Sequence, residues 1–109
     1  MGNDVELKVS FRFLSLSHAQ ASELQTSFSA ADFGKHFKSG ELTAALDLGC
    51  VDLGALSKFI RANAIEVDAT DIFISLVSEH DSHIVDVPPC VHAAIREIGS
   101  KLVISYTVV

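Results

Sequence analysis

The sequence predicts an α+β fold: a two-layer sandwich in which a mostly antiparallel sheet carries helices on one face, ferredoxin-like or related. Three observations point there. Residues 5–13 alternate apolar and polar side chains, residues 53–64 and 89–98 carry apolar stripes at helical spacing, and residues 102–109 alternate again. Alternation marks a strand with one face in the core and one in water, as in antiparallel or mixed sheets, whereas strands buried on both faces of a parallel sheet read apolar throughout. A length of 109 residues suits one core, and the whole of 1–109 reads as a single α+β domain without linker or repeat.

In the first strand Val5, Leu7, Val9, Phe11 and Phe13 point one way and Glu6, Lys8, Ser10 and Arg12 the other. Ser17 then stands three residues before Gln20, the spacing of a capping box, and predicts a helix over 18–28 that buries Ala21, Leu24 and Phe28. Residues 29–40 read as a loop with one helical turn: Phe33 and Phe37 are interrupted by Gly34, and Lys35, His36 and Lys38 form a small basic cluster. Over 41–48, Leu42, Ala44, Leu46 and Leu48 alternate as in a strand, although Leu42, Ala45, Leu46 and Gly49 also fit a helix; a strand is the reading taken.

Asp52 is an N-cap for the helix over 53–64, with Leu53, Leu56, Phe59, Ile60 and Ala64 on one stripe. The β-rich run 72–77 is apolar on both sides, as in a central strand. A polar turn over 78–82 and a short return strand over 83–87 follow. Pro88 and Pro89 then open a helix whose buried stripe is Val91, Ala94, Ile95 and Ile98, and Gly99 stops it before the last strand.

Composition excludes several classes of function. With 49% hydrophobic and 20% charged residues the chain can bury a core, unlike a disordered segment. No apolar run approaches the roughly 20 residues of a membrane span. The acidic start lacks the apolar core of an export signal, and Glu6 occupies the position where a myristoylation motif needs Ser or Thr, so a cytoplasmic protein without membrane attachment is expected. Two cysteines, Cys50 and Cys90, suit free thiols in a reducing compartment. A net charge of −6 opposes binding to phosphate backbones and suits a basic partner or simple solubility.

Chemistry-bearing constellations are weak. His80 and His83, with Cys90 and His92 beyond them, have the side chains of a zinc site, but the two histidines stand three apart in a segment that reads as a hairpin turn, neither a Cys pair nor a second His pair stands at a familiar distance, and a solvated turn is the default. Cys90 and His92 lie two apart on a helix, so the imidazole cannot serve the thiol as a base. Residues 49–54 lack the middle glycine of a dinucleotide loop and the lysine of a phosphate loop. No catalytic residue, cofactor or metal is therefore expected. Two surfaces remain: the wet sheet face of Glu6, Lys8, Ser10 and Arg12, with Ser105 and Thr107 beside them, and an acidic belt of Glu66, Asp68, Asp71, Glu79, Asp81 and Asp86 divided between opposite ends of the sheet.

The opening Val9-Ser10-Phe11-Arg12-Phe13 before a helix, the Lys38-Ser39-Gly40-Glu41 turn, and the ending Pro89-Cys90-Val91-His92-Ala93-Ala94-Ile95-Arg96-Glu97-Ile98-Gly99 into Leu102-Val103-Ile104-Ser105-Tyr106 resemble an uncharacterised bacterial domain family. Some of its members sit beside toxin genes as immunity proteins. The resemblance spans most of the chain and carries no active site with it. Together with size, acidity and the lack of catalytic motifs, it leads to the expectation of a non-enzymatic antitoxin that blocks a basic, nuclease-like toxin, the acidic belt being the candidate contact. The alternative is a small-molecule or metal-sensing regulatory domain acting as a homodimer.

Overall fold

In a computed structural model, which describes residues 5–79 and 85–109, the opening alternation becomes β1 (Val5–Leu16), the centre strand of a five-stranded sheet. The remaining elements are α1 (His18–Ser27), β2 (Asp32–Lys35), β3 (Leu42–Asp47), α2 (Leu53–Ala62), a 3-10 turn at Val67–Ala69, β4 (Thr70–Ser78), α3 (Pro89–Ile98) and β5 (Lys101–Val108). The strand order is β2-β3-β1-β4-β5. Every neighbouring pair is antiparallel except β4 and β5, which α3 joins as a parallel crossover. The fold is α+β with a mostly antiparallel open sheet, as the alternation requires.

The inward face of the sheet supplies Phe11, Phe13, Ala44, Leu46, Ile72 and Ile74, all buried against Leu24, Leu56, Phe59, Ile60, Val91 and Ala94 of the helices. Three edge-to-face ring contacts run through this core, Phe11 on Phe13 at 5.2 Å within β1, Phe28 on Phe59 at 6.0 Å within the helical layer, and Phe13 on Phe59 at 5.9 Å between centroids joining the two layers. Each helix begins where its local chemistry dictates. Ser17 and Gln20 form the reciprocal capping box of α1, the Asp52 carboxylate accepts from the backbone of Gly54 and Ala55 at the start of α2, and Pro89 occupies the first turn of α3. Gly99 ends α3 at φ +87°, a conformation that suits glycine.

Four expectations are corrected. The first strand does not end at Phe13: the register shifts between Phe13 and Leu16, so Leu14 and Ser15 together oppose Thr43 in a bulge. That extra residue returns Leu16 to the buried face, which simple alternation would have sent to solvent. Residues 32–35, read as loop, form the edge strand β2, which exists because β3 offers it a partner. Helix α2 stops at Ala62, and Ala64 lies beyond it at φ +52°, exposed. The last strand, whose Ser105 and Thr107 the sequence sets beside the wet residues of the first, pairs with β4, which stands between the two. The expected turn over 78–82 and return strand over 83–87 fall largely outside the described residues; Ser78 closes β4, and residues 85–88 contain no strand.

Candidate functional site

The helices cover one face of the sheet, and among the described residues the other face carries no helix. Strand register orders it into rows. The lowest row crosses all five strands as Asp32, Ala45, Arg12, Asp71 and Lys101; the next contains Asp47, Ser10, Phe73 and Val103; then come Lys8, Ser75 and Ser105, and finally Glu6, Val77 and Thr107. Most of its central side chains are half-buried by their neighbours, Ser10, Arg12, Phe73, Ser75, Val77, Val103 and Ser105 among them. The sequence placed Glu6, Lys8, Ser10, Arg12, Ser105 and Thr107 on this face, and the register confirms that placement. It missed Phe73, Val77 and Val103, because a run apolar on both sides does not say which side is covered.

One interaction makes the centre of this face rigid. The Arg12 guanidinium donates from Nε to Asp71 Oδ1 at 2.7 Å and from Nη2 to Asp71 Oδ2 at 2.6 Å, a bidentate fork. The same guanidinium lies over the Phe73 ring with 4.0 Å between its carbon and the ring centroid. Asp71 is thereby only 1% exposed, although it stands on the helix-free side. Beside the pair, a depression of about 580 Å³ opens over Arg12, Asp32, Gly34, Thr43 and Ala45. Gly34 keeps it open: a Cβ there would meet the Thr43 hydroxyl at 3.1 Å.

The acidic belt does not form one surface. Glu66 and Asp68 are exposed just before β4, Glu79 is exposed just after it, and Asp86 is exposed in a segment that lies beside Ile74 and Leu76 of that strand. The nine-residue strand separates Glu66 and Asp68 from Glu79 by roughly 26 Å. Asp71 leaves the belt altogether, since it is buried and held by Arg12, and Asp81 lies outside the described residues. Of the metal candidates, His80 and His83 also lie outside the described residues, Cys90 is half-buried and His92 is exposed. Among the described residues no three His, Cys, Asp or Glu side chains gather as a metal site.

The link between β2 and β3 presents a second feature the sequence did not reveal. Phe37 is 88% exposed there, stacked on His36 with 5.4 Å between ring centroids and approached by the Lys38 ammonium at 5.7 Å. The tip is tied down by polar bonds: the backbone of Lys38 and Ser39 donates to His36 Nδ1, and the Ser15 and Ser39 hydroxyls donate to the Glu41 carboxylate. These hydroxyl bonds, that from Ser15 first, hold the Glu41 carboxyl below its ordinary value.

No helix among the described residues is long and apolar enough to cross a membrane. Comparison with protein-family models, curated proteins and solved structures returned no match for this chain.

Proposed function

We propose that this chain is a non-catalytic protein-binding module of the bacterial immunity or antitoxin type, and that it blocks a basic, nuclease-like toxin with the helix-free face of its sheet. The supporting observation is the construction of that face. A locked Arg12–Asp71–Phe73 centre sits among half-buried Val77, Val103, Ser10, Ser75 and Ser105, so apolar contact and hydroxyl hydrogen bonding are offered from a backbone already fixed by the sheet. Preorganisation of this kind lowers the entropic cost of association. A net charge of −6 favours a positively charged partner and a fast, steered encounter, and the family resemblance points to the immunity class. The acids at the two ends of β4 contribute to the field and do not form one contact patch.

The test is co-expression with the basic protein encoded by the adjacent reading frame. A stoichiometric complex is expected, with an association rate that falls about tenfold or more between low and high salt. Ser75→Arg, a bulky cation on the helix-free face, weakens binding while the variant keeps its thermal transition. Absence of any complex with that protein, or a complex indifferent to Ser75→Arg and disrupted by changes on the helices, rejects the proposal.

A further inference from the structure

A trough runs along β3 on the helix-free face, and strand register builds it. Thr43 and Ala45 form its floor. Arg12 and Leu14 of β1 wall one side, and Asp32 of the edge strand β2, with His36 just past that strand's end, walls the other. Adjacent strands stand about 4.8 Å apart, so β1 and β2 are roughly 10 Å apart, which leaves room for one side chain between the walls. Gly34 is the gap in the outer wall: with no side chain between Asp32 and His36, the trough opens sideways at the edge of the sheet. Its volume of about 580 Å³ falls in the range of roughly 300–1,000 Å³ that ordinary ligand sites occupy.

The charges around this trough do not cancel. Arg12 leans toward β4, where both of its bonds go to Asp71 and its guanidinium lies over Phe73. That pair is neutral as a unit. His36 accepts the backbone N–H groups of Lys38 and Ser39 at Nδ1, at 3.2 and 3.3 Å, an arrangement open only to a ring whose proton is on Nε2. Lys35 pairs with Leu42 and so stands on the opposite face. What remains is the carboxylate of Asp32, which is exposed and, among the described residues, engaged in no hydrogen bond or ion pair.

We infer that this trough is a socket for one arginine side chain of the basic partner, with Asp32 as the charge that it meets. The inference rests on the reading of the helix-free face as the surface that meets a basic protein, and it names the side chain that seats there. Both carboxylate oxygens of Asp32 are free of competing donors, so a guanidinium can engage them as a fork. Leu14 and Ala45, both half-buried, offer apolar surface to the methylene stem, and the Thr43 hydroxyl can accept a further N–H. A lysine ammonium is a compact point charge and cannot make the planar fork, so arginine is the preferred occupant. The gap at Gly34 gives entry from the sheet edge. Any other residue there would set its Cβ 3.1 Å from the Thr43 hydroxyl and narrow the opening.

Titration of the full chain with N-acetyl-arginine amide, followed through the backbone amides of Gly34, Thr43 and Ala45 in nitrogen-15 spectra, tests the socket without the partner. A ligand of this size, held by one side chain, is expected to bind with a dissociation constant on the order of 1 mM at low salt. The uncharged citrulline analogue should bind about tenfold more weakly or worse, and N-acetyl-lysine amide more weakly than the arginine compound. Asp32→Asn should cause the same loss of about tenfold or more while keeping the thermal transition, because the residue is exposed. Ala45→Leu fills the floor without changing charge and should abolish the shifts. No shift at these amides up to about 20 mM, shifts that survive Asp32→Asn, or equal binding of the citrulline or lysine analogue overturns the inference. The toxin complex separates the two proposals. A complex weakened by Ser75→Arg yet indifferent to Asp32→Asn overturns the socket alone, whereas arginine-amide binding without any toxin complex overturns the toxin reading alone.

Discussion

Arg12→Met isolates the energetic role of the ion pair at the centre of the open face. The substitution keeps an unbranched side chain over Phe73 and removes both bonds to Asp71, whose carboxylate is only 1% exposed. Breaking a fully buried pair from one side costs about 3–5 kcal/mol, because the remaining charge has neither water nor a partner. Here the Arg12 side chain is 34% exposed, so water can reach part of the vacated site. The expected cost is therefore about 2–3 kcal/mol, or a fall in melting temperature of roughly 10–20 °C for a chain of this length. Urea unfolding measures it, with an unchanged slope showing that only stability has moved. Arg12→Met with Asp71→Leu should recover part of the loss, leaving a coupling energy of about 1–2 kcal/mol in the double-mutant cycle. A cost below about 1 kcal/mol for Arg12→Met, or simple additivity in the cycle, would refute the view that the pair holds the face together.

Three further outcomes follow from local geometry. Ala64→Gly relieves an alanine at φ +52° and should stabilise the protein by about 0.5–1 kcal/mol, while Gly99→Ala at φ +87° should destabilise it by about 1 kcal/mol with no steric contact involved; paired urea melts read both. Asp52→Ala removes an acceptor for two backbone donors at the start of α2 and should cost about 1 kcal/mol, with slower exchange lost first in that turn. Because the folded Glu41 carboxyl titrates below its ordinary value of 4.5, its stabilising effect is complete above that pH and is lost as pH falls through the depressed value. Carbon-13 titration of Glu41 should show this, and Ser15→Ala with Ser39→Ala should return its midpoint toward 4.5.

What was legible in the sequence was what local chemistry decides. The alternation of Val9, Phe11 and Phe13, the Ser17–Gln20 box, the Asp52 cap and the Pro89 and Gly99 boundaries all became the elements that they signalled. What stayed hidden depends on partners distant in the chain. Asp32 to Lys35 has little strand character and pairs because β3 is adjacent. The bulge at Leu14 and Ser15 arises from accommodating β3 while burying Leu16. Asp71 read as surface charge because Arg12, its partner, is 59 residues away, and only the register of β1 against β4 brings them together. Phe37 reads as an ordinary apolar residue, and its exposure follows from the turn that carries it outward.

The central position of β1 has a consequence for how the chain reaches this state. Strand β1 is made before both of its neighbours, β3 and β4, and its longer ladder, from Val5 against Ser78 to Phe13 against Thr70, waits for residues roughly 60 positions downstream. At about 5–20 residues per second, a ribosome leaves that alternating apolar strand without its main partner for several seconds. Ordering so distant a pair also places its loop-closure entropy before its reward, which predicts slow, late-forming folding kinetics. During that interval Val9, Phe11 and Phe13, side chains that the finished core buries wholly or in part, lack the β4 partners against which they fold.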